Sequence, residues 1–259
     1  MVGGGEIDIS IFIKLILFFI NIMSDLPEIT ILMPVWKRSE FLPLVLMNLK
    51  SQDYPHQNLR LLIDDDTENV DERFIKNLQE VKDILNPIKV EYITGKPKRS
   101  IGKKRNDLIK MCKTKIWMFF DSDDVYLPSA ISYSYSVLKK NKFGAVGSDK
   151  MIFCMYDRDF AVHAIDCGNN KRLIHEASLM GTVKWWRASQ KFSDGSRGEG
   201  ANLFTGHESK VGITDVSKVM ICIQHGENTV DKLQFAKDEN KLKIEVSDEM
   251  KDILKKILK

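Results

Sequence analysis

A chain of 259 residues, 43% hydrophobic and 29% charged, can bury one large core and has the composition of a folded body, which excludes wholesale disorder. The net charge of +3 selects no partner by itself, and no nucleic-acid recognition module accompanies the basic residues. Cys112, Cys154, Cys167 and Cys222 form no C-x-x-C pair, which argues against a zinc site or a disulfide framework and fits a reducing compartment.

Residues 9–23 are almost wholly apolar apart from Ser10, Lys14 and Asn21. A bilayer span wants about 20 apolar residues, and a secretory leader opens with basic residues where this chain has Glu6 and Asp8. Met23-Ser24-Asp25 would make an ordinary start, so residues 1–24 read as an extension or a surface helix in membrane contact before a true anchor. The expected location is the cytoplasm or the cytoplasmic face of a membrane.

Residues 29–35 are apolar and β-branched and predict a first strand. Ser39 stands where it can cap a helix carrying Leu42, Val45, Leu46 and Leu49 on one stripe. A second strand over 59–63 ends on Asp64-Asp65-Asp66. From Val70, the residues Phe74, Leu78, Val81 and Leu85 recur helically, and a third strand covers 89–93. After the break at Gly95-Lys96-Pro97, Ser100 caps a helix with Ile101, Leu108, Ile109 and Cys112. That helix leads into Ile116-Trp117-Met118-Phe119-Phe120, a strand buried on both faces, because a half-buried strand would alternate.

This apolar run stops on Asp121-Ser122-Asp123-Asp124. In extended chain, residues two apart share a side, so Asp121 and Asp123 are expected to face together. Two carboxylates held that close call for a cation. Oxygen ligands favour Mg or Mn, completed by water and substrate phosphates. The competing reading is an acidic loop after a core strand. Alternating strands and helices imply an α/β fold with a mostly parallel sheet, helices on both faces and ligands outside the carboxyl ends of the strands.

After Pro128 comes a helix with Ile131, Tyr135 and Leu138, and then segments 151–156 and 160–165 flank residues 157–159 as a hairpin would, so the second half of the sheet is mixed. Residues 168–206 are irregular and contain Trp185-Trp186 and a glycine-rich run over 193–200. In an extended segment one tryptophan ring would stack on an acceptor sugar, with core packing as the rival explanation. A late strand over 219–223 precedes Gln224-His225-Gly226, and Met250, Ile253, Leu254, Ile257 and Leu258 stripe a terminal helix. The division expected is a leader (1–24), one catalytic domain (25–236) and an amphipathic helical tail (237–259).

The order of these pieces over roughly 28–229 resembles the family 2 glycosyltransferases, nucleotide-sugar enzymes of the GT-A fold. Residues 31–38 are similar to the family's opening strand and polar turn, which puts Pro34 and Arg38 on the donor side. By the same resemblance Asp65 contacts the nucleotide base, and Arg105 and Asn106 lie on the nucleotide side. Asp121-Ser122-Asp123 looks like the metal-binding D-x-D, with Asp123 the direct ligand and Asp121 bonding ribose or metal. His225 stands where some such enzymes bring a histidine to the metal or diphosphate. The family's catalytic carboxylates lie in a Gly-Glu-Asp context, and this chain has Gly198-Glu199-Gly200, which makes Glu199 the first choice of base and Asp194 the second. The resemblance implies Mn- or Mg-dependent transfer of a hexose, foremost from a UDP-sugar, to a hydroxyl of a carbohydrate, glycoprotein or glycolipid, with inversion.

Two other classes compete. Residues 118–125 also satisfy the D-x-D-x-Val pattern of haloacid-dehalogenase-like phosphatases, in which Asp121 would be a nucleophile, although three strands precede a motif that normally opens that domain. A nucleotide-sugar-binding module without turnover is the third reading, because Gly200 stands in place of an acid.

Overall fold

Runs of β-branched and aromatic residues alternate with helical stripes through the first half of the chain, and the computed structural model shows that alternation of strands and helices. It describes residues 26–258 apart from 167, 169, 227, 229–231 and 245, so the apolar leader lies outside the described residues. The elements in order are β1 (Ile29–Val35), α1 (Leu42–Lys50), β2 (Leu59–Asp65), α2 (Leu78–Leu85), β3 (Lys89–Ile93), α3 (Ile101–Met111), β4 (Ile116–Phe119) and β5 (Val125–Tyr126). They continue with α4 (Ala130–Lys140), β6 (Ala145–Gly147), β7 (Lys150–Met155), β8 (Ala161–Asp166), β9 (Met180–Thr182), α5 (Val183–Ala188), β10 (Val211–Ile213), β11 (Met220–Gln224) and α6 (Asp248–Ile257).

The main sheet has seven strands in the order β10-β6-β9-β4-β1-β2-β3, parallel except where β9 runs against β4 and β6. A second sheet, β5-β11-β7-β8, contains the expected hairpin as β7 and β8, paired from Lys150↔Asp166 to Met155↔Ala161. The fold is therefore the mostly parallel α/β architecture with mixed strands in its second half.

β4 is buried on both faces, as its unbroken apolar run requires. Trp117 and Phe119, each 0% exposed, join one core with Leu32, Leu62 and Phe204, while Met118 and Phe120 point into the larger core with Ile31 and Met33. Each such side chain contributes roughly 1.5–3 kcal/mol on leaving water, so this strand is firmly anchored in the sheet. Register then sets the site: Leu32 stands beside Phe119 and Val35 beside Asp65, which brings the carboxyl ends of β1, β2 and β4 to one edge.

Several local expectations change. Ser39 lies inside a 3-10 turn (Ser39–Phe41) and makes no cap; α1 begins behind it with a proline in its first turn, where a missing N–H costs nothing. The helix expected from Val70 starts only at Leu78, because the Asn77 side chain accepts from Glu80 N at 3.2 Å and fixes the start there. Ser100 caps α3 by accepting from Lys103 N at 3.2 Å, as read. The acidic motif does not continue the strand: residues 122–124 form a turn, so Asp121 and Asp123 owe their common side to turn geometry and not to pleating. The terminal segment packs on the body, with Leu242 N bonded to Val162 O at 2.8 Å and Leu254 of α6 0% exposed. Among the described residues no helix is long and apolar enough to cross a membrane.

The fit of β9 between β4 and β6 depends on Gly181, because a Cβ there would lie 2.6 Å from Trp117 Cζ2. Gly181→Ala is expected to destabilise the fold by about 1–3 kcal/mol, the usual effect of overpacking. Urea unfolding checks it, and an unchanged midpoint would show that Trp117 can move aside.

Candidate active site

The turn after β4 is held from both sheets. Asp121 N–H donates to Tyr126 Oη at 2.7 Å, and that hydroxyl donates to Ala177 O at 3.0 Å. The Tyr126 ring stacks on Phe120 with centroids 3.6 Å apart. Asp124 faces inward: its Oδ1 accepts from Ile223 N at 3.0 Å and its carbonyl from Asn48 Nδ2 at 2.8 Å. Burial, reinforced by the Asp123 charge, pushes its carboxyl well above the usual range. The last aspartate of the motif is thus a fastening between β4, α1 and β11.

The other two open into a cleft of about 470 Å³ lined in part by Pro34, Arg38, Arg105 and Glu199. Asp123 Oδ2 lies 3.2 Å from His225 Nε2 and 3.4 Å from Arg38 Nε. Burial opposes its ionisation, but the hydrogen bond with His225 and the Arg38 charge outweigh that and hold the carboxyl below its ordinary value. Asp121 takes Arg105 Nη2 on both oxygens, at 3.1 and 3.2 Å. There burial prevails over the Arg105 charge, and the carboxyl is raised.

Arg105 joins the motif to the glycine-rich segment. Its Nε is 3.3 Å from Glu199 Oε1, its guanidinium sits 4.7 Å over the Phe119 ring, and its side chain is 4% exposed. Gly102, one turn earlier on α3, permits this approach: a side chain there would collide with the Ser193 carbonyl, and Gly102 N–H instead donates to Gly195 O at 2.9 Å.

Among the described residues no three His, Cys, Asp or Glu side chains are grouped to hold a metal unaided. The donor set nevertheless fits Mn or Mg, because such ions use one or two carboxylates and draw the rest of their shell from phosphates and water. Asp123, with a fifth of its side chain open to the cleft and with His225 and Asp121 beside it, could serve as such a carboxylate.

The family model described as glycosyl transferase family 2 matches residues 30–205, more than half of the chain. The chain belongs to glycosyl transferase family 2. Among solved structures, S. aureus TarS 1–349 in complex with UDP-GlcNAc superposes with a TM-score of 0.58 at 11% identity, over 78% of this chain and 60% of that one. The mannosyltransferase PcManGT from Pyrobaculum calidifontis, in complex with GDP-Man and Mn2+, gives 0.55 at 14% identity, over 82% of this chain and 64% of that one. At such identities the likeness is one of fold, and the chain spans less than two thirds of these neighbours. No curated protein matches it significantly.

In this family 2 chain several residues expected at the ligand are engaged elsewhere. Asp65 is 0% exposed and spends both oxygens on the protein, accepting from Thr67 N at 3.0 Å, Phe74 N at 2.8 Å and Tyr92 Oη at 2.6 Å. Asn106 faces the second core, bonding both Phe192 N and O and accepting from Trp186 Nε1 at 3.3 Å. Trp185 and Trp186 are helical in α5, 6% and 4% exposed, packed in that same core and not on the cleft, which corrects their reading as sugar platforms. Thr182 starts this helix by accepting from Trp185 N at 3.1 Å, which rules out the extended segment that would have turned one ring outward. Asp194 is exposed and bonded to Ser100 Oγ at the head of α3, away from the cleft lining.

Residues not singled out in the sequence also line the cleft, among them Trp36, Glu176 and Lys232. Lys98 Nζ sits 3.2 Å from the centroid of the Trp36 ring at the end of β1. Glu176 begins a 3-10 turn before β9, and its Oε1 accepts from Gly200 N at 3.2 Å. Burial, then the Glu199 charge, raises its carboxyl. No local signal marks Glu176, since only the return of β9 to the sheet carries it to the glycine-rich segment.

The basic run proves largely structural. Lys104 Nζ lies 2.6 Å from both Asp66 Oδ1 and Val35 O, and Arg99 Nη2 is 2.8 Å from Asp64 Oδ1. Lys104→Met is expected to destabilise by about 3–5 kcal/mol, because it strands a buried carboxylate, and chemical denaturation measures this directly. A loss under about 1 kcal/mol would show that Arg99 alone satisfies Asp66.

His175, partly buried on the cleft, has its pKa lowered to about 3 by desolvation and by the Lys232 and Arg105 charges. The unfolded chain therefore binds a proton that the folded one refuses as pH falls from about 6.5 toward 3, and stability drops by up to about 1.4 kcal/mol per pH unit there. His175→Gln should flatten that slope between pH 6 and 4. Parallel stability profiles for variant and wild type would contradict the assignment.

Proposed function

We propose that this family 2 chain transfers a sugar from a nucleotide-diphosphate donor, a UDP-sugar before others, to a hydroxyl of a carbohydrate, glycoprotein or glycolipid acceptor, with inversion at the anomeric carbon. The observation that carries the reading is the continuous set of contacts from His225 and Arg38 to Asp123 and from Asp121 through Arg105 to Glu199 around one cleft. Arg38, Arg105, Asp121, Asp123 and Glu199 share one cleft at the carboxyl ends of β1 and β4, the position where open α/β sheets bind ligands, which supports a donor and an acceptor side within it.

On the donor side, Pro34 and Trp36 at the end of β1 offer an apolar wall for the nucleoside, and Arg38, Arg197 and Lys232 supply positive charge for a diphosphate. Asp123, with Asp121 and His225, would hold Mn or Mg, which when bound supplies Lewis-acid stabilisation of the charge on the departing diphosphate. On the acceptor side a carboxylate must take the hydroxyl proton as the new bond forms, and Glu199 and Glu176 are the two glutamates there. The UDP-GlcNAc and GDP-Man named for the structural neighbours support a nucleotide-sugar donor. The phosphatase reading is not favoured, because the family match and the PcManGT neighbour are transferases and both Asp121 oxygens are engaged by Arg105. A cytoplasmic location, with residues 9–23 touching a membrane, belongs to the same proposal.

A thermal-shift panel of UDP-, GDP-, dTDP- and CMP-sugars with and without Mn tests this reading. A true donor at 100 times its Kd stabilises by about 2.7 kcal/mol. Asp123→Asn should fold cooperatively yet lose the Mn-dependent part of that shift. Stabilisation by no member of the panel, or a Mn-dependent shift kept in the variant, would refute it.

A further inference from the structure

Five carboxylates line the cleft, namely Asp121, Asp123, Asp124, Glu176 and Glu199, and their partners differ. Among the described residues Asp121, Asp123 and Glu199 each pair with an arginine, whereas Glu176 enters no ion pair. A guanidinium N–H facing a carboxylate oxygen takes up a lone pair that an incoming proton would need, so the ion-paired carboxylates are less open to an acceptor hydroxyl. Asp124 also enters no ion pair among the described residues, but it is buried and its Oδ1 is committed to Ile223 N, whereas Glu176 is only half-buried.

The place Glu176 occupies is informative. A Cβ added to Gly200 would stand 2.5 Å from Glu176 Oε1 and 3.0 Å from its Cγ. The Gly200 backbone is not in the left-handed region, unlike Gly198 with φ +61, so conformation does not demand glycine there. A side chain at 200 would meet the Glu176 carboxyl, which occupies that volume from another segment and takes the Gly200 N–H at 3.2 Å.

We infer that Glu176 is the catalytic base of this transferase, and that Glu199 is a positioning residue that holds Arg105 against Asp121. This rests on the nucleotide-sugar reading above. The acceptor O–H gives its proton to the Glu176 carboxylate as its oxygen bonds the anomeric carbon. The bond from that carbon to the diphosphate oxygen breaks, and its electron pair leaves on the nucleoside diphosphate. The raised carboxyl of Glu176, due first to burial, suits a proton acceptor.

The test uses the full chain with Mn and the nucleotide sugar from the panel that binds it, following donor affinity by thermal shift and release of nucleoside diphosphate with water as acceptor. Glu176→Gln keeps the volume and the acceptor for Gly200 N–H, so affinity should stay near wild type while turnover falls by roughly 10² to 10⁴. Glu199→Gln should instead weaken donor binding, because Arg105 and Asp121 lose their register. Glu176→Ala empties the space beside residue 200, and the double variant Glu176→Ala/Gly200→Asp should recover at least about tenfold over the single one, by returning a carboxylate to that place. Undiminished turnover in Glu176→Gln, or no recovery in the double variant, overturns the assignment while leaving the transferase reading standing. A wild type that binds none of the panel overturns that reading and the inference with it.

Discussion

The site depends on one buried guanidinium. Arg105, 3% exposed on α3, touches a carboxylate on each side and an aromatic ring beneath it. A buried charge is tolerable only when paired, and removing either carboxylate would leave the cation in a dry setting with one partner in place of two. The D-x-D turn and the glycine-rich segment, distant in sequence, are therefore held to a common geometry by electrostatic necessity. Gly102 makes the arrangement sterically possible, since the segment containing Glu199 lies directly on the first turn of α3.

A second ionic cluster does purely architectural work. Asp64 and Asp66 at the end of β2 face Arg99 and Lys104, and Lys104 also reaches the carbonyl of Val35. This fastens the loop before α3 to the ends of β1 and β2. It also explains why a run of three aspartates after a strand does not become a ligand site here: each is charge-paired or hydrogen-bonded within the protein, Asp65 by Tyr92 and two backbone amides. The two acidic clusters, alike in sequence, differ in exposure: Asp64, Asp65 and Asp66 are each 0% exposed, whereas Asp123 keeps a fifth of its side chain open to the cleft.

The two sheets meet at Asp124 and Tyr126. One side chain reaches β11 and the other reaches Ala177 just before β9, so the turn that presents Asp121 and Asp123 is braced from below and behind. Such bracing keeps two carboxylates at one site despite their repulsion and lets their environments diverge, with Asp123 lowered by His225 and Arg38 against burial and Asp121 raised by burial.

Sequence alone determined the α/β alternation, the double burial of the strand before the motif, the Ser100 cap and the family, because these rest on periodicity and on local residue chemistry. It also marked Arg38, Arg105, Asp121, Asp123, Glu199 and His225, all of which the structure gathers round the cleft. Only the tertiary structure decided that Asp65 and Asn106 are consumed by internal hydrogen bonds and that Trp185 and Trp186 belong to the core. It alone decided that Glu176 fills the space beside Gly200. The reason is physical: whether a polar or aromatic side chain is available to a ligand depends on partners brought from far along the chain, and no local pattern encodes those partners.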